Sequence, residues 1–295
     1  SEGVGRVKPR RVVSDSMIGL SMPDTDRWSE RVAVVLGQNP GPFTGPGTNT
    51  FIVGTGKRRL LLDSGQGSAS YLDLLGRTVA ETPGLEGLAA LVITHAHPDH
   101  IGGAEGVIER FGSLEVYKMP WPEMDRGLAI TPLQEGSEIR TEGATLRALW
   151  TPGHARDHLS FFLDEEKALF TGDLVLGAGT TVIPEDGDLG DYMASLRRVL
   201  ELDLRVIYPA HGPAIADPRR KIGQYIAHRE LRERQIVDGL GGDVGSVAEL
   251  VEAIYTDVPD FLHAAAGASV LAHLRKLERE GRVKRRGTGW ALVRD

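Results

Sequence analysis

Three of the nine histidines crowd into the six positions from His95 to His100, in Thr94-His95-Ala-His97-Pro-Asp99-His100, immediately after the wholly apolar stretch that begins at Leu88. An apolar run of that length reads as a strand buried on both faces, and here Leu88 to Thr94 ends in a polar turn. Side chains alternate along extended backbone, so His95 and His97 project the same way, and Asp99 and His100 on the next turn can face them. One segment thereby offers four ligands to two adjacent cations. Three later strands end in the same manner: Leu146 to Thr151 runs into Pro-Gly-His154, Ala168 to Thr171 into Gly-Asp173, and Val206 to Tyr208 into Pro-Ala-His211. A lone loop histidine needs no metal, but seven His and Asp residues all placed where strands end do. The chain has no cysteine, which excludes disulfides, a thiolate nucleophile and thiolate-held metal clusters. Imidazole and carboxylate suit zinc, and iron and manganese fit the same ligand types. Ligands beyond the carboxyl ends of strands are the habit of open α/β sheets, and the strand pattern alone suggests a doubly wound parallel sheet.

The remaining organisation follows from turn residues and periodicity. Residues 1–30 lack clear periodicity and read as an N-terminal arm, and Arg31 to Leu36 is the first strand. Asn39 to Asn49 holds three Pro and three Gly in eleven positions, which makes it a loop. Thr50 to Val53 and Arg59 to Asp63 then form a hairpin around Gly54 to Lys57. Tyr71 to Thr82, Leu189 to Leu202 and Pro218 to Gly239 have helical spacing, the last with i,i+4 charge pairs such as Glu230 with Arg234. Beyond Gly239, Ser246-Val-Ala-Glu249 matches a capping box opening a helix to about Tyr255. Ala264 to Glu280 supplies one or two more helices, Gly281 stops them, and Arg282 to Val293 reads as a two-stranded ribbon. The expected units are thus residues 1–30, a catalytic domain over 31–239 and a winged-helix-like module over 240–295, for which bracing or dimer formation is a commoner use than nucleic-acid binding.

Composition narrows the partners. No stretch approaches the ~18 apolar residues of a membrane span, and Ser1 to Arg11 lacks the apolar core of a signal peptide, so a cytoplasmic protein is expected. The net charge of −7 argues against a surface that traps polyanions everywhere. From Arg219 onward, however, 14 Lys and Arg face 11 Asp and Glu, against 20 and 30 before it.

The pattern HxHxDH, followed by Thr151-Pro-Gly-His154, Thr171-Gly-Asp173 and Pro209-Ala-His211-Gly212, resembles the metallo-β-lactamase superfamily over roughly residues 31–230. That resemblance implies an αββα sandwich instead of a doubly wound sheet, with the site at one edge of two packed sheets. It further implies that His95, His97 and His154 hold one metal, Asp99, His100 and His211 a second, and that Asp173 bridges them. Two such cations lower the pKa of a shared water from 15.7 towards about 7 and polarise the attacked group, so no protein nucleophile is required. Asp99 would also orient that water.

Within the superfamily, the missing cysteine and the carboxylate Asp173 set true β-lactamases aside. The 38-residue spacing from Asp173 to His211 is too short for the inserted domain of the long RNA-processing nucleases. Asn39-Pro-Gly-Pro, Gly47-Thr-Asn-Thr50, Thr151 to His158, Tyr208-Pro-Ala-His-Gly-Pro213, Tyr225-Ile-Ala-His-Arg229 and the C-terminal module resemble the branch that contains β-lactamase-like protein 2. That branch implies a single-strand-specific endoribonuclease, and it is similar to stand-alone thioesterases that release acyl chains from carrier proteins. RNA would want a basic track, which Arg275, Lys276, Arg279, Arg282, Lys284, Arg285 and Arg286 offer, with Trp290 the one aromatic in that stretch and more often a packed ribbon residue. An acyl chain would want an apolar groove, for which Phe43, Met119 and Trp121 are candidates. Near full-length resemblance tips the expectation to the nuclease, with the thioesterase, which the overall charge favours, as the alternative; a metal-stabilised scaffold or DNA-binding regulator is the non-enzymatic alternative. His158 is expected to orient a ligand or donate a proton to the leaving group. Thr48, Asn49 and His228 are candidates for substrate contact, and Gly102 and Gly103 for close backbone packing behind the metal loop.

Overall fold

The computed structural model describes residues 17, 19–241, 245–256 and 263–293. The proposed arm therefore lies mostly outside the described residues. Two sheets stack face to face. The first has seven strands in chain order: β1 (Thr25–Arg27), β2 (Val32–Leu36), β3 (Asn49–Val53), β4 (Arg58–Leu62), β5 (Gly87–Val92), β6 (Glu115–Lys118) and β7 (Ile130–Pro132). The second has five, β8 (Glu138–Thr141), β9 (Ala144–Trp150), β10 (Leu159–Leu163), β11 (Ala168–Gly172) and β12 (Val206–Pro209), also in chain order. Both sheets are mixed: β1 to β4 pair antiparallel and β4 to β7 parallel, while β11 and β12 are the parallel pair of the second. The doubly wound parallel sheet suggested by strand pattern alone is therefore incorrect, and the αββα sandwich is the architecture. Local alternation reports which face of a strand is buried, whereas strand direction depends on which distant strand becomes its neighbour.

Alternation accounts for the layers. Val32, Val34, Phe51, Val53, Leu60 and Leu62 point inward from the first sheet and meet Leu146, Ala148, Phe161, Leu163 and Phe170 from the second. Phe51 stands edge-on to Phe170 with centroids 4.9 Å apart. Each fully buried side chain of this size contributes about 1.5–3 kcal/mol. The intervening positions Val35, Ile52, Leu61 and Leu91 point outward and are covered by Tyr71, Leu75 and Val79 of α1 (Ala69–Glu81) and Val107 of α3 (Ala104–Phe111). Ser68 caps α1 by accepting from the Tyr71 N–H. On the far side, α4 (Leu189–Leu200) and α5 (Pro218–Leu240) cover Leu149, Leu169 and Ile207.

Helix α5 belongs to two cores. Its Ile222 and Tyr225 join the layer over the second sheet, while Ile236 and Leu240 pack with α6 (Val247–Ile254), α7 (His263–Arg279) and the ribbon β13 (Val283–Arg286) and β14 (Gly289–Leu292). The capping box at Ser246 and Glu249 forms as the spacing indicates, and Trp290 is buried in the ribbon core. Residues Ala264 to Arg279 make a single helix. Glu230 pairs with Arg197 of α4 at 3.1 Å, so this charge ties two helices together instead of supporting its own helix at Arg234. Among the described residues, no helix is long and apolar enough to cross a membrane.

Candidate metal centre

The ends of five strands meet at one edge of the sandwich. The loop after β5 carries His95, and His97 is the N-cap of the short helix α2 (Pro98–Ile101), which holds Asp99 and His100. Glycines let this turn sit tight against the β4 loop: a Cβ on Gly102 would lie 3.0 Å from the Gln66 carbonyl oxygen, and one on Gly103 2.1 Å from that of Ser64. His154 follows β9, Asp173 follows β11 and His211 follows β12. The ligand atoms of His95, His97 and His154 lie within 4.8 Å of one another, as do those of Asp99, His100 and His211, and those of His95, His100 and Asp173. All seven candidates are brought together.

For three of the five rings, hydrogen bonds on the outward nitrogens decide which nitrogen faces inward. Asp63, at the end of β4, accepts from the Thr94 N–H at 2.8 Å and from the Thr94 hydroxyl, and its Oδ2 lies 2.8 Å from His100 Nδ1. His100 therefore donates from Nδ1 and turns a bare Nε2 to the centre. Since the Thr94 hydroxyl gives its proton to Asp63, it accepts from His95 Nδ1 at 3.0 Å, and His95 Nε2 is likewise bare. His154 Nδ1 donates to the Val182 carbonyl at 2.7 Å, with the same result. Such outer hydrogen bonds fix tautomer and ring orientation in metal sites. Three inward nitrogens then converge: His97 Nδ1 lies 3.0 Å from His95 Nε2 and 2.8 Å from His154 Nε2. A proton on His97 Nδ1 could serve only one of these two neighbours at a time, whereas a cation among the three nitrogens serves all of them. Among the described residues His100 Nε2 and Asp173 Oδ1 are buried with no partner in hydrogen-bond geometry, although His211 Nε2 lies 3.2 Å from that Asp173 oxygen and 3.3 Å from Asp99. The donor set fits a pair of divalent cations.

The charges divide in the same way. Burial, reinforced by neighbouring histidines, holds His95 well below the ordinary imidazole value, and burial lowers His154 to about 4. On the other side burial pulls His211 and His100 down, but Asp173 and Asp99 outweigh it, lifting His211 to about 9 and His100 well above its usual range, so that the inward nitrogens facing these carboxylates draw a proton wherever a cation does not take its place. Burial would raise Asp99 and Asp173, yet the adjoining imidazoles hold both well below the usual carboxylate range.

Other expected site residues take supporting positions. His158 is fully buried; its Nε2 accepts from the Asp173 backbone N–H at 3.0 Å and its Nδ1 meets the Thr151 hydroxyl at 2.9 Å. With burial lowering it to about 3, the ring has no proton directed at the site. Gly172, at φ +50°, makes this contact possible, since a Cβ there would lie 2.6 Å from His158 Nε2. Thr48 and Asn49, expected to meet substrate, are instead fully buried. Thr48 donates to Asp99 Oδ2 at 3.1 Å and is held by Asn39, while Asn49 donates to the carbonyls of Pro209 and Gly212 on either side of His211. His228 sits on α5, where burial and then the nearby cationic groups lower it to about 4, and it is not one of the residues whose ligand atoms converge at the centre.

Asp63 was the residue that motif spacing did not single out, although an acid closing the apolar run Arg59-Leu-Leu-Leu-Asp63 was its visible trace. It sits at φ 60°, a strained conformation for a residue with a side chain, which the four contacts it makes with Thr94 and His100 maintain. A second unflagged group is Lys118, fully buried with its Nζ 2.5 Å from Asp157 and 2.7 Å from Asp125. The pair secures a wall in which Trp121 packs on Ala96 and Ala155, the residues next to His95 and His154.

Comparison with known proteins agrees with this geometry. A sequence profile for the metallo-β-lactamase superfamily matches residues 43–211, and one for the β-lactamase-associated winged helix domain matches residues 246–290. A β-lactamase-like protein 2 homolog of Caenorhabditis elegans is 38% identical over 88% of this chain and 88% of its own length. An atrochrysone carboxyl ACP thioesterase of Aspergillus fumigatus is 40% identical over 81% of this chain and 78% of its own. The crystal structure of a metallo-β-lactamase family protein from Thermus thermophilus, 25% identical, superposes with a TM-score of 0.74 over 90% of this chain and 100% of that one. The chain belongs to the metallo-β-lactamase superfamily, as a metal-dependent hydrolase.

Proposed function

We propose that the chain hydrolyses acyl thioesters at a dinuclear centre, with His95, His97 and His154 holding one divalent cation, Asp99, His100 and His211 the other, and Asp173 between them. The observation that carries the choice of substrate is the state of the C-terminal cations. Arg275 pairs with Glu185 at 3.0 Å, Lys276 with Glu233 at 2.6 Å, Arg282 with Glu233 at 2.6 Å, and Arg279 with Asp188. Four of the seven residues that looked like a track for RNA thus face carboxylates from other segments. On the Asn39 to Thr48 loop, which braces Asp99 through Thr48, Phe43 is 63% exposed and offers an apolar surface for an acyl chain. The thioesterase relative supports the same reading.

A divalent pair here supplies Lewis acidity and hydroxide at neutral pH. The protein's own work is positional. Thr48, His100 and His211 hold Asp99 ionised, and its side chain is 22% exposed, placed to take a proton from the attacking water. His158 accepts from the Asp173 backbone N–H, which supports the ligand-orienting role, the first of the two expected from sequence, over proton donation. In the net reaction water adds to the acyl carbon, the carbon–sulfur bond breaks, and acid and thiol are released. A carrier protein bearing the acyl group is the partner this chemistry suggests.

Single-strand RNA cleavage is the second reading, favoured by the β-lactamase-like protein 2 relative and by Lys284, Arg285 and Arg286, all exposed on β13, with the Arg285 guanidinium 5.0 Å over Trp290. Both are tested on one preparation of known metal content, given a short-chain acyl thioester and labelled single-stranded RNA, beside the His97→Ala, Asp173→Asn double variant. Thioester cleavage lost in the double variant, with RNA intact throughout, is the expected result. RNA cleavage without thioester cleavage would reverse the assignment.

A further inference from the structure

The segment from Asp173 to Val182 begins at one candidate ligand and ends at the carbonyl that orients another, and its intervening backbone is held by side chains from helices. Leu174 O accepts from the Tyr192 hydroxyl at 2.7 Å. The Tyr225 hydroxyl accepts from the Leu176 N–H at 3.1 Å and donates to Gly179 O at 2.9 Å. Arg229 donates to Thr181 O, the carbonyl next to Val182. Tyr225 and Arg229 are four residues apart, hence on one face of α5, and they are the outer members of the Tyr225-Ile-Ala-His-Arg229 motif whose purpose motif reading left open.

Arg229 is only 4% exposed and is itself secured from three sides. Its guanidinium lies 5.5 Å from the centroid of the Tyr192 ring, its other terminal nitrogen donates to Ser269 Oγ of α7 at 3.3 Å, and His273 of α7 reaches its backbone carbonyl at 3.2 Å. A buried guanidinium is costly unless its donors are matched to acceptors. Here they are spent on the backbone of a loop at the site and on a helix of the C-terminal module.

We propose that Tyr225 and Arg229 are positioning residues that clamp this loop so that the Val182 carbonyl holds His154 with Nε2 facing the cluster, and that α7 braces the clamp. The C-terminal module then acts on the centre from behind, without touching substrate. This rests on His154 being a metal ligand, and the experiment separates the two ideas.

Zinc affinity of the full chain is measured by competition with a chelating dye for wild type, His154→Ala, Arg229→Gln, Arg229→Lys and Tyr225→Phe, with thermal unfolding recorded for each. His154→Ala is expected to weaken one of two binding steps, and if it weakens neither, the ligand assignment fails. Arg229→Gln should weaken that same step about 10-fold, the lower end for loss of an outer partner, and leave the other step unchanged. Arg229→Lys, which keeps a donor, should recover part of the loss. Tyr225→Phe keeps the ring and removes only the hydroxyl, so it decides the matter if Arg229→Gln does not fold; a smaller weakening of the same step is expected. Wild-type affinities in the folded clamp variants, or equal weakening of both steps, would overturn the clamp while sparing the ligand set.

Discussion

The metal edge and the C-terminal module use polar residues in opposite ways. At the edge, charged and ring groups are buried, and the outward nitrogens of His95, His100 and His154 are committed to neighbours so that the inward nitrogen is left to a cation. In the module, the core among the described residues is ten buried apolar side chains, and the cations lie outside it in ion pairs with carboxylates such as Glu185 and Asp188 from the catalytic layers. The edge depends on geometry that a single atom can spoil; the module depends on area, with its surface charges individually worth little. A histidine cluster is therefore strong evidence for a site, whereas a run of arginines is weak evidence for a polyanion surface.

Breaking the edge should have the largest effect. The His97→Ala, Asp173→Asn variant is expected to lose about 10³-fold or more in kcat/KM, together with bound metal, checked by steady-state kinetics and elemental analysis; retained turnover would mean the cluster is not the reaction centre. Next comes Asp63→Asn, which tolerates the same positive φ but weakens the acceptor of both His100 and Thr94. Its metal affinity should fall about 10- to 100-fold with the fold intact, measured by chelator competition. Gly172→Ala tests the backbone of the edge: a Cβ at φ +50° against His158 should cost about 1–3 kcal/mol in denaturant unfolding, and an unchanged midpoint would remove the steric argument.

In the module the expected effects are smaller. Burial would raise Glu233, but Lys276 and Arg282 outweigh it and hold it below the ordinary glutamate value. A depressed folded pKa means that the stabilisation is present above the unfolded value near about 4.3 and is lost as pH falls through the folded one. Protection of the α7 amides, taken relative to their intrinsic exchange rate at each pH, should therefore fall on acidification below about pH 4, and Glu233→Gln should flatten that dependence. Smallest of all, replacing Lys284, Arg285 and Arg286 by Gln should leave thioester kcat/KM unchanged. A loss there that disappears in high salt would sharpen the comparison towards the RNA reading.

Much of the site was legible because its ligands sit where apolar strands end, and a strand's end is a local property of sequence. His95 to His100 needed one strand and one turn. His154, Asp173 and His211 each needed only their own strand, and their convergence followed from the resemblance of the whole set to a known arrangement. Asp63 was harder to see, because its partners Thr94 and His100 lie more than thirty positions away and no spacing rule connects them. Thr48 and Asn49 were correctly placed near the centre, yet burial, which depends on the packing of the second sheet's loops, turned them from substrate contacts into supports.

The sequence by itself determined where most strands and helices run, the capping at Ser246, the candidate ligands and the presence of a second apolar core at the C-terminus, since these depend on periodicity and on chemistry carried by neighbouring residues. Only the tertiary structure decided strand direction, the tautomers at the centre, the pairing of Glu230 with Arg197 in place of Arg234, and the neutralisation of the C-terminal cations. Each of these is a contact between segments far apart in the chain, and its partner is chosen by packing, which local pattern does not encode.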